Sequence, residues 1–262
     1  MKFRLPQKYF SKIIRAVVEF DMIERGDSIL IGLSGGKDSL LLTYALAMLR
    51  ERTNNKFTLH ALTIDPMFSE DFDVEILSHF CNSLGIPYES EKVDIAEVIR
   101  SSPKNAPCFT CAFFRRGAIN RVAKERHCNK IAYAHHNDDA VETLLLNLLY
   151  SGQIGTFQPK TYLDRTDLTV IRPLIYLREA ETIEAIRYHG ITPVKSPCPI
   201  DGSTKRATVK RLVATLTEEN PLIYEHLASA MRKSGSGEMN RLWPAAKSRQ
   251  EMRASYDRFM RE

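Results

Sequence analysis

ILIGLSGGKDSLLL, residues 29–42, holds a strand, a turn and the start of a helix in one short run. Apolar residues from Ser28 to Leu33 have the length and continuity of a buried strand. Leu40, Leu41, Leu42, Tyr44, Ala45, Leu46 and Leu49 then recur as a buried helix requires. Between them lies Ser34-Gly35-Gly36-Lys37-Asp38-Ser39. Glycines let backbone N–H groups approach an anion, and the following helix points its positive N-terminal end at the same place. Ser34 and Ser39 add hydroxyl donors, and Lys37 adds charge. The spacing excludes both GxxxxGK[ST] and GxGxxG, so neither the nucleoside-triphosphate loop of that pattern nor the dinucleotide fingerprint is present.

The chain of 262 residues is long enough for one sizeable core, or for a main domain with an appendage. Its 44% apolar and 26% charged residues are those of an ordinary globular protein. No apolar run approaches the ~20 residues that span a bilayer. The N-terminal stretch lacks the apolar core and cleavage site of a signal peptide, so a cytoplasmic location without membrane attachment is expected. Five cysteines, odd in number and unevenly spaced, do not make a disulfide framework. The net charge is +5, and the residues from Arg232 onward carry eight Lys/Arg against four Asp/Glu. Such a tail suits a polyanion such as RNA, although solvated charge runs are common.

Outward from the first strand, residues 6–25 alternate apolar and basic groups as an amphipathic helix does. Residues 57–64 form a second strand ending at Asp65-Pro66, where Asp65 is either a nucleoside contact at a strand's carboxyl end or a turn residue. A helix over 71–84, a strand over 88–95, a helix over 112–127 and a strand over 130–134 follow. Alternation of this kind implies a doubly wound parallel sheet of about five strands. Residues 151–169 read as a long polar loop, residues 170–174 as the fifth strand, residues 177–189 as a helix, and residues 203–217 and 221–231 as two more. Ser234 to Gly237 reads as a flexible break. The expected organisation is an N-terminal helical extension over 1–26, a main domain over 27–231 and a basic tail over 232–262.

Three groups of residues point to chemistry. His135, His136, Asp138 and Asp139 follow the fourth strand; Asp139 and Glu142 have capping-box spacing, and the carboxylates also suit Mg²⁺ shared with ATP phosphates. Cys108-Phe-Thr-Cys111 opens a helix, where thiolates are favoured; alone, the pair fits zinc, an iron–sulfur cluster, a redox dithiol or nothing. Cys198 lies in a proline-rich turn. Cys81 and Cys128 read as buried structural thiols.

SGGKDS resembles the pyrophosphate loop of the ATP pyrophosphatases, which split ATP between the α- and β-phosphates. With AHHNDDAVETLLLNLLY, the later IRPL, and Cys108-x-x-Cys111 with a distant Cys198-Pro199, the chain from Ser28 to Met231 resembles the tRNA 2-thiolation branch of that superfamily. It is most similar to the 2-thiocytidine synthetases. HHNDDAVET alone also fits the lysidine synthetases, and the cysteines separate the two.

The resemblance implies the adenine nucleotide alpha hydrolase-like fold with helical extensions. It implies ATP held by Ser34, Gly35, Gly36, Lys37, Asp38, Ser39, Asp65, His135, Asp138 and Asp139 with Mg²⁺, and a [4Fe-4S] cluster on Cys108, Cys111 and Cys198. Lys37, Asp38 and the three cysteines are the implied catalytic residues. Many relatives carry a further cysteine where this chain has Asp201, so Asp201 is a candidate fourth ligand. The substrate implied is tRNA, at cytidine 32, lying across Arg115, Arg116, Arg172, Lys205, Arg206, Lys210 and Arg211. Sulfur would come from a cysteine desulfurase or free sulfide, and the family admits a homodimer. The competing expectations are a lysidine synthetase-like or small-molecule sulfur-transferring enzyme, and a non-catalytic metal-binding RNA module.

Overall fold

The computed structural model describes residues 5–54, 56–69, 71–101, 107–195, 197–198, 204–232 and 242–261. Asp201 and the Ser234–Gly237 stretch lie outside the described residues. Six strands form one sheet in the order β3-β2-β1-β4-β6-β5, from β1 (Ser28–Gly32), β2 (Thr58–Asp65), β3 (Tyr88–Lys92), β4 (Lys130–Ala132), β5 (Lys160–Leu163) and β6 (Leu168–Ile171). The pairings of β1 with β2 and β4, of β2 with β3 and of β4 with β6 are parallel, whereas β5 pairs antiparallel with β6. The order reverses between β1 and β4. In such sheets the ligand crevice lies beyond the carboxyl ends of the strands at that reversal.

Alternation along β1 explains how the sheet is covered on both faces. Ile29 and Ile31 enter one apolar cluster with α1 (Gln7–Glu19), α2 (Lys37–Arg52), α6 (Asn137–Ser151) and α7 (Glu179–Tyr188). Leu30 points the other way, into a cluster with Ile119 and Val122 of α5 (Pro107–Glu125). The β1 residues Ile29, Leu30 and Ile31 are all fully buried, as a central parallel strand requires.

The sequence reading needs correction in three places. The stretch 151–169 is not one loop, because β5 and β6 form a hairpin closed at Asp167, whose φ is +50°. Its strand KTYL is half-exposed at the sheet edge and so has no apolar run to announce it. The third strand ends at Lys92, and Ile95–Ser101 is a separate short helix, α4. The helix expected from residue 112 begins at Pro107, so Cys108 lies in its first turn and Cys111 at the start of its second.

The boundaries expected near residues 26 and 231 do not divide the packing. Tyr9, Phe10 and Ile13 of α1, with Met231 and Trp243, belong to the same core cluster as β1. Beyond Leu242 the chain returns to the body. Trp243 is 1% exposed and donates its indole N–H to the Phe157 carbonyl at 2.9 Å. Lys247 donates to the Val18 carbonyl at the end of α1 and to Asp21, and α10 (Arg249–Arg261) packs on α1. Among the described residues, no helix is long and apolar enough to cross a membrane.

Trp243 therefore anchors the last segment beneath Phe157. Trp243→Ala should cost about 3–5 kcal/mol, the range for emptying a large aromatic site, measured as the shift in the urea unfolding midpoint at constant m-value. An unchanged midpoint would show that the terminal segment adds nothing to the core.

Candidate active site

A cavity of ≈ 610 Å³ opens at the reversal between β1 and β4. Gly32, Leu33, Ser34, Gly36, Asp38 and Ser39 line it from the β1–α2 side. Tyr133, His135 and Asp139 line it from the end of β4 and the start of α6, and Arg115, Arg116, Phe157, Arg172 and Arg206 complete it. A second cleft of ≈ 690 Å³ lies between α1 and α10, over the segments that lead into β1 and β2, and contains no glycine turn or cysteine.

The glycine turn is built around Gly35, whose φ is +81°. A Cβ there would come within 3.1 Å of the Val194 Cβ, and the Gly35 carbonyl accepts a hydrogen bond from Val194 N at 2.9 Å. The segment approaching Cys198 is thus tied to the turn. Ser39 Oγ donates to the Gly36 carbonyl at 2.9 Å and pairs with Ser34 Oγ at 3.2 Å. Gly36 caps α2 without a side-chain hydrogen bond. The amides of the first turn of α2 are therefore left for an anion, where the helix dipole also favours negative charge.

A charged network backs the turn. Lys37 Nζ lies 2.9 Å from Asp38 and 3.1 Å from Glu179. Burial works against its charge, but the hydrogen bonds and charges of Asp38 and Glu179 prevail and raise its pKa. Thr182, fully buried, donates to Asp38 Oδ1 at 2.7 Å. Burial would raise the Glu179 carboxyl, yet hydrogen bonds from Lys210 and Lys37 bring it down to about 2.

The two aspartates expected to act together are separated. Asp139 lines the cavity: its carboxylate accepts from His136 N at 2.9 Å in a capping box and meets Arg206 at 3.2 Å. Asp138 instead lines a smaller cleft of ≈ 280 Å³. Arg178 Nε reaches both its oxygens, at 3.1 and 3.2 Å, and the Glu179 amide donates to it at 2.8 Å. Asp138 thus positions α7 against α6. His136, buried, stands 3.9 Å from Asp38 and 3.4 Å from Asp139.

His135 packs between Tyr133 and Phe157, with ring centroids 5.8 and 5.0 Å away. Burial and then the positive charge of Arg172 lower its pKa to about 4, so it is neutral at physiological pH. Asp65 is buried and accepts from Met67 N at 2.9 Å, the bond of a turn residue, and it does not line the cavity.

The expected tRNA contacts divide. Arg115 and Arg116 line the cavity. Arg172 forms its inner wall: its Nη1 donates to the Gln158 carbonyl at 2.6 Å, and its guanidinium lies 4.8 Å from the Phe157 ring. Arg206 is held by Asp139, Glu142 and Thr143, and Lys210 by Glu179. Lys205 lies over the Tyr150 ring, and Arg211 donates to Thr208.

Cys108 is exposed, whereas Cys111 and Cys198 are half-buried. Burial raises the Cys111 thiol; the neighbouring Arg115 opposes this, and the negative charges of Cys198 and Cys108 add to it. Cys111 therefore feels the charges of Arg115, Cys198 and Cys108. Among the described residues, however, no three His, Cys, Asp or Glu side chains are drawn into a metal-ligand cluster. The set fits a thiolate-bound group by its donor chemistry.

Thr182, Glu179, Tyr133 and Phe157 escaped the sequence reading. Only Glu179 left a trace there, as an acid in a helix's first turn.

The doubly wound sheet, the glycine turn and the cavity define a PP-loop protein, and the PP-loop domain family matches residues 7–216. Within that class, the chain belongs to the family of the tRNA-cytidine(32) 2-sulfurtransferases. It is 38% identical over 224 residues to the enzyme of that name from Pelobacter propionicus, covering 84% of this chain and 81% of the relative. It is 35% identical to that of Geobacter sulfurreducens, covering 86% and 89%. Among solved structures, the U34-tRNA thiolase NcsA from Methanococcus maripaludis, which contains a [4Fe-4S] cluster, superposes with a TM-score of 0.67 at 21% identity over 90% of this chain and 86% of its own. The NH3-dependent NAD synthetase from Campylobacter jejuni follows at 0.50 and 19% identity, covering 85% and 90%. At these identities the structural likeness concerns the fold.

Gly35→Ala should add about 1–3 kcal/mol of backbone strain and push against Val194. Global stability should therefore fall by about that amount and ATP affinity should drop with it; unchanged affinity by calorimetry of the folded variant would remove Gly35 from the phosphate site. For Glu179, the depressed pKa stabilises the fold above the ordinary 4.5, and this contribution is lost as pH falls from there towards about 2. Wild type and Glu179→Gln should accordingly differ in thermal stability at pH 6 and converge on acidification through that window.

Proposed function

We propose that this chain thiolates tRNA at the expense of ATP, adenylating the C2 oxygen of cytidine 32 and replacing it with sulfur. The observation that carries this reading is that the segments bearing the cysteines adjoin the cavity of the glycine turn, although no cysteine is among its lining residues. The glycine turn lies on one wall, and Arg115, one turn after Cys111, lies on another. Val194, on the way to Cys198, is hydrogen-bonded to the turn itself. The names of the relatives supply the substrate.

In this mechanism the amides of Gly36 and the first turn of α2, with Ser34 and Ser39, bind the pyrophosphate portion of ATP. Lys37 supplies positive charge, held in place by Asp38 and Glu179. Asp38 and Asp139 both line the cavity, on either side of His136, and would be the carboxylates that hold the Mg²⁺ accompanying ATP. The C2 oxygen attacks the α-phosphorus and pyrophosphate leaves. Arg115, Arg116 and Arg172 stabilise the negative charge that builds up as this happens. Neutral His135, with Tyr133 and Phe157, offers the base an aromatic wall that carries no competing charge. Cys108, Cys111 and Cys198 would hold a [4Fe-4S] cluster, which supplies an iron with an open position for sulfur delivered from sulfide or a cysteine desulfurase. Sulfur then displaces AMP at C2.

Mass spectrometry of tRNA nucleosides from cells with and without the gene, grown anaerobically, tests the assignment. Loss of 2-thiocytidine is expected. Loss of another thionucleoside would move the base, and an unchanged profile would overturn tRNA thiolation. Cys198→Ala should lose iron and thiolation but retain tRNA-dependent pyrophosphate release, whereas Lys37→Ala should lose that release and keep its iron. The opposite pattern in either variant would merge sites that this reading keeps separate.

A further inference from the structure

The first three turns of α5 carry a feature that the thiolation chemistry does not use. Phe109, Phe113 and Phe114 are 65%, 59% and 37% exposed. Phe109 and Phe113, four residues apart on one helical stripe, lie nearly parallel, at 6.5 Å between centroids and 22° between planes. Phe114 meets Phe113 edge-on at 5.6 Å. Exposed rings of this size in one cluster call for a partner.

We propose that Phe109 and Phe113, backed by Phe114, are a stacking ledge for the unpaired tRNA bases next to the pyrimidine being modified. The proposal rests on the tRNA-thiolation reading. Three observations support this occupant. The ledge is continuous with the cavity, because Ala112 and Arg116, on the adjoining stripe of the same turns, line it. Residues 107–120 contain two arginines and no aspartate or glutamate, so the surroundings favour a polyanion. The ledge is also small: at ~200 Å² for a fully exposed aromatic side chain, these exposures amount to about 300 Å². A stable interface with a second copy takes ~800 Å² from each partner.

The physical need is plain. A base drawn into the cavity leaves its neighbours unstacked, and aromatic side chains restore that stacking regardless of base identity. Such a ring contributes to affinity without neutralising a phosphate, so its effect is independent of salt.

The test compares Phe109→Ala/Phe113→Ala with Arg116→Ala, both as anaerobically prepared holoenzyme binding an unmodified tRNA transcript across a salt series. The phenylalanine variant should lose about tenfold in affinity per ring, with the slope of log K against log salt unchanged. Arg116→Ala should flatten that slope by about one. Phe109→Trp/Phe113→Trp should restore binding, and iron content should stay constant throughout. Wild-type affinity in the alanine double variant would overturn the ledge. So would loss of self-association in sedimentation with tRNA affinity intact, which would assign the rings to a second copy. If the wild type itself neither binds nor thiolates tRNA, the functional reading falls with it; if only the ledge fails, wild-type thiolation persists.

Discussion

The backbone of Gly35 is the constraint on which the rest of the site depends. Its positive φ turns the chain from β1 into α2 tightly enough to leave the first amides of α2 uncapped at the sheet's reversal point. Its carbonyl holds Val194, so the same residue fixes the approach of the segment that bears Cys198. A side chain there would meet Val194 at 3.1 Å. One backbone position thus ties the glycine turn to the segment that leads to Cys198.

Around it the protein uses charge in two ways. Carboxylates that do not enter the cavity are locked by cations, as Asp138 is by Arg178 and Glu179 by Lys37 and Lys210, and they stiffen the junction of α2, α6, α7 and the helix carrying Lys210. Groups that face the cavity are unevenly paired: Asp38, Asp139 and Arg206 keep ion-pair partners, and others, among the described residues, do not. Arg115 and Arg116 meet no carboxylate in the described structure, and His135 is kept neutral by burial and by Arg172. The outcome is a chamber with net positive walls, suited to a polyphosphate and a nucleic acid at once.

The sequence reading was most reliable where backbone geometry or a repeating apolar period leaves little choice. SGGKDS between an apolar run and a leucine-rich helix could form only a strand–turn–helix, and the parallel alternation followed from the spacing of the elements. The hairpin of β5 and β6 was hidden because Lys160–Leu163 is stabilised by pairing with a neighbour and not by its own apolar pattern. Thr182 was hidden for a similar reason: a buried threonine reads as core until its hydroxyl is seen on Asp38. The arginines show the limit of charge as a sequence signal, since Arg172 and Arg206, equally basic in sequence, are turned inward onto carbonyl and carboxylate partners.

What the sequence determined by itself is the class of chemistry: a glycine turn before a helix offers backbone amides to an anion, and a CxxC pair at a helix start offers two sulfur donors to one group, even though burial in the fold raises the Cys111 thiol. These properties are local, set by residues within a few positions of one another. Tertiary structure alone decided which of two adjacent aspartates lines the cavity, that Val194 on the way to Cys198 is tied to the glycine turn, and that three phenylalanines of α5 stand exposed and not in the core. Each of these depends on what packs against the residue from a distant part of the chain, and no local pattern encodes that.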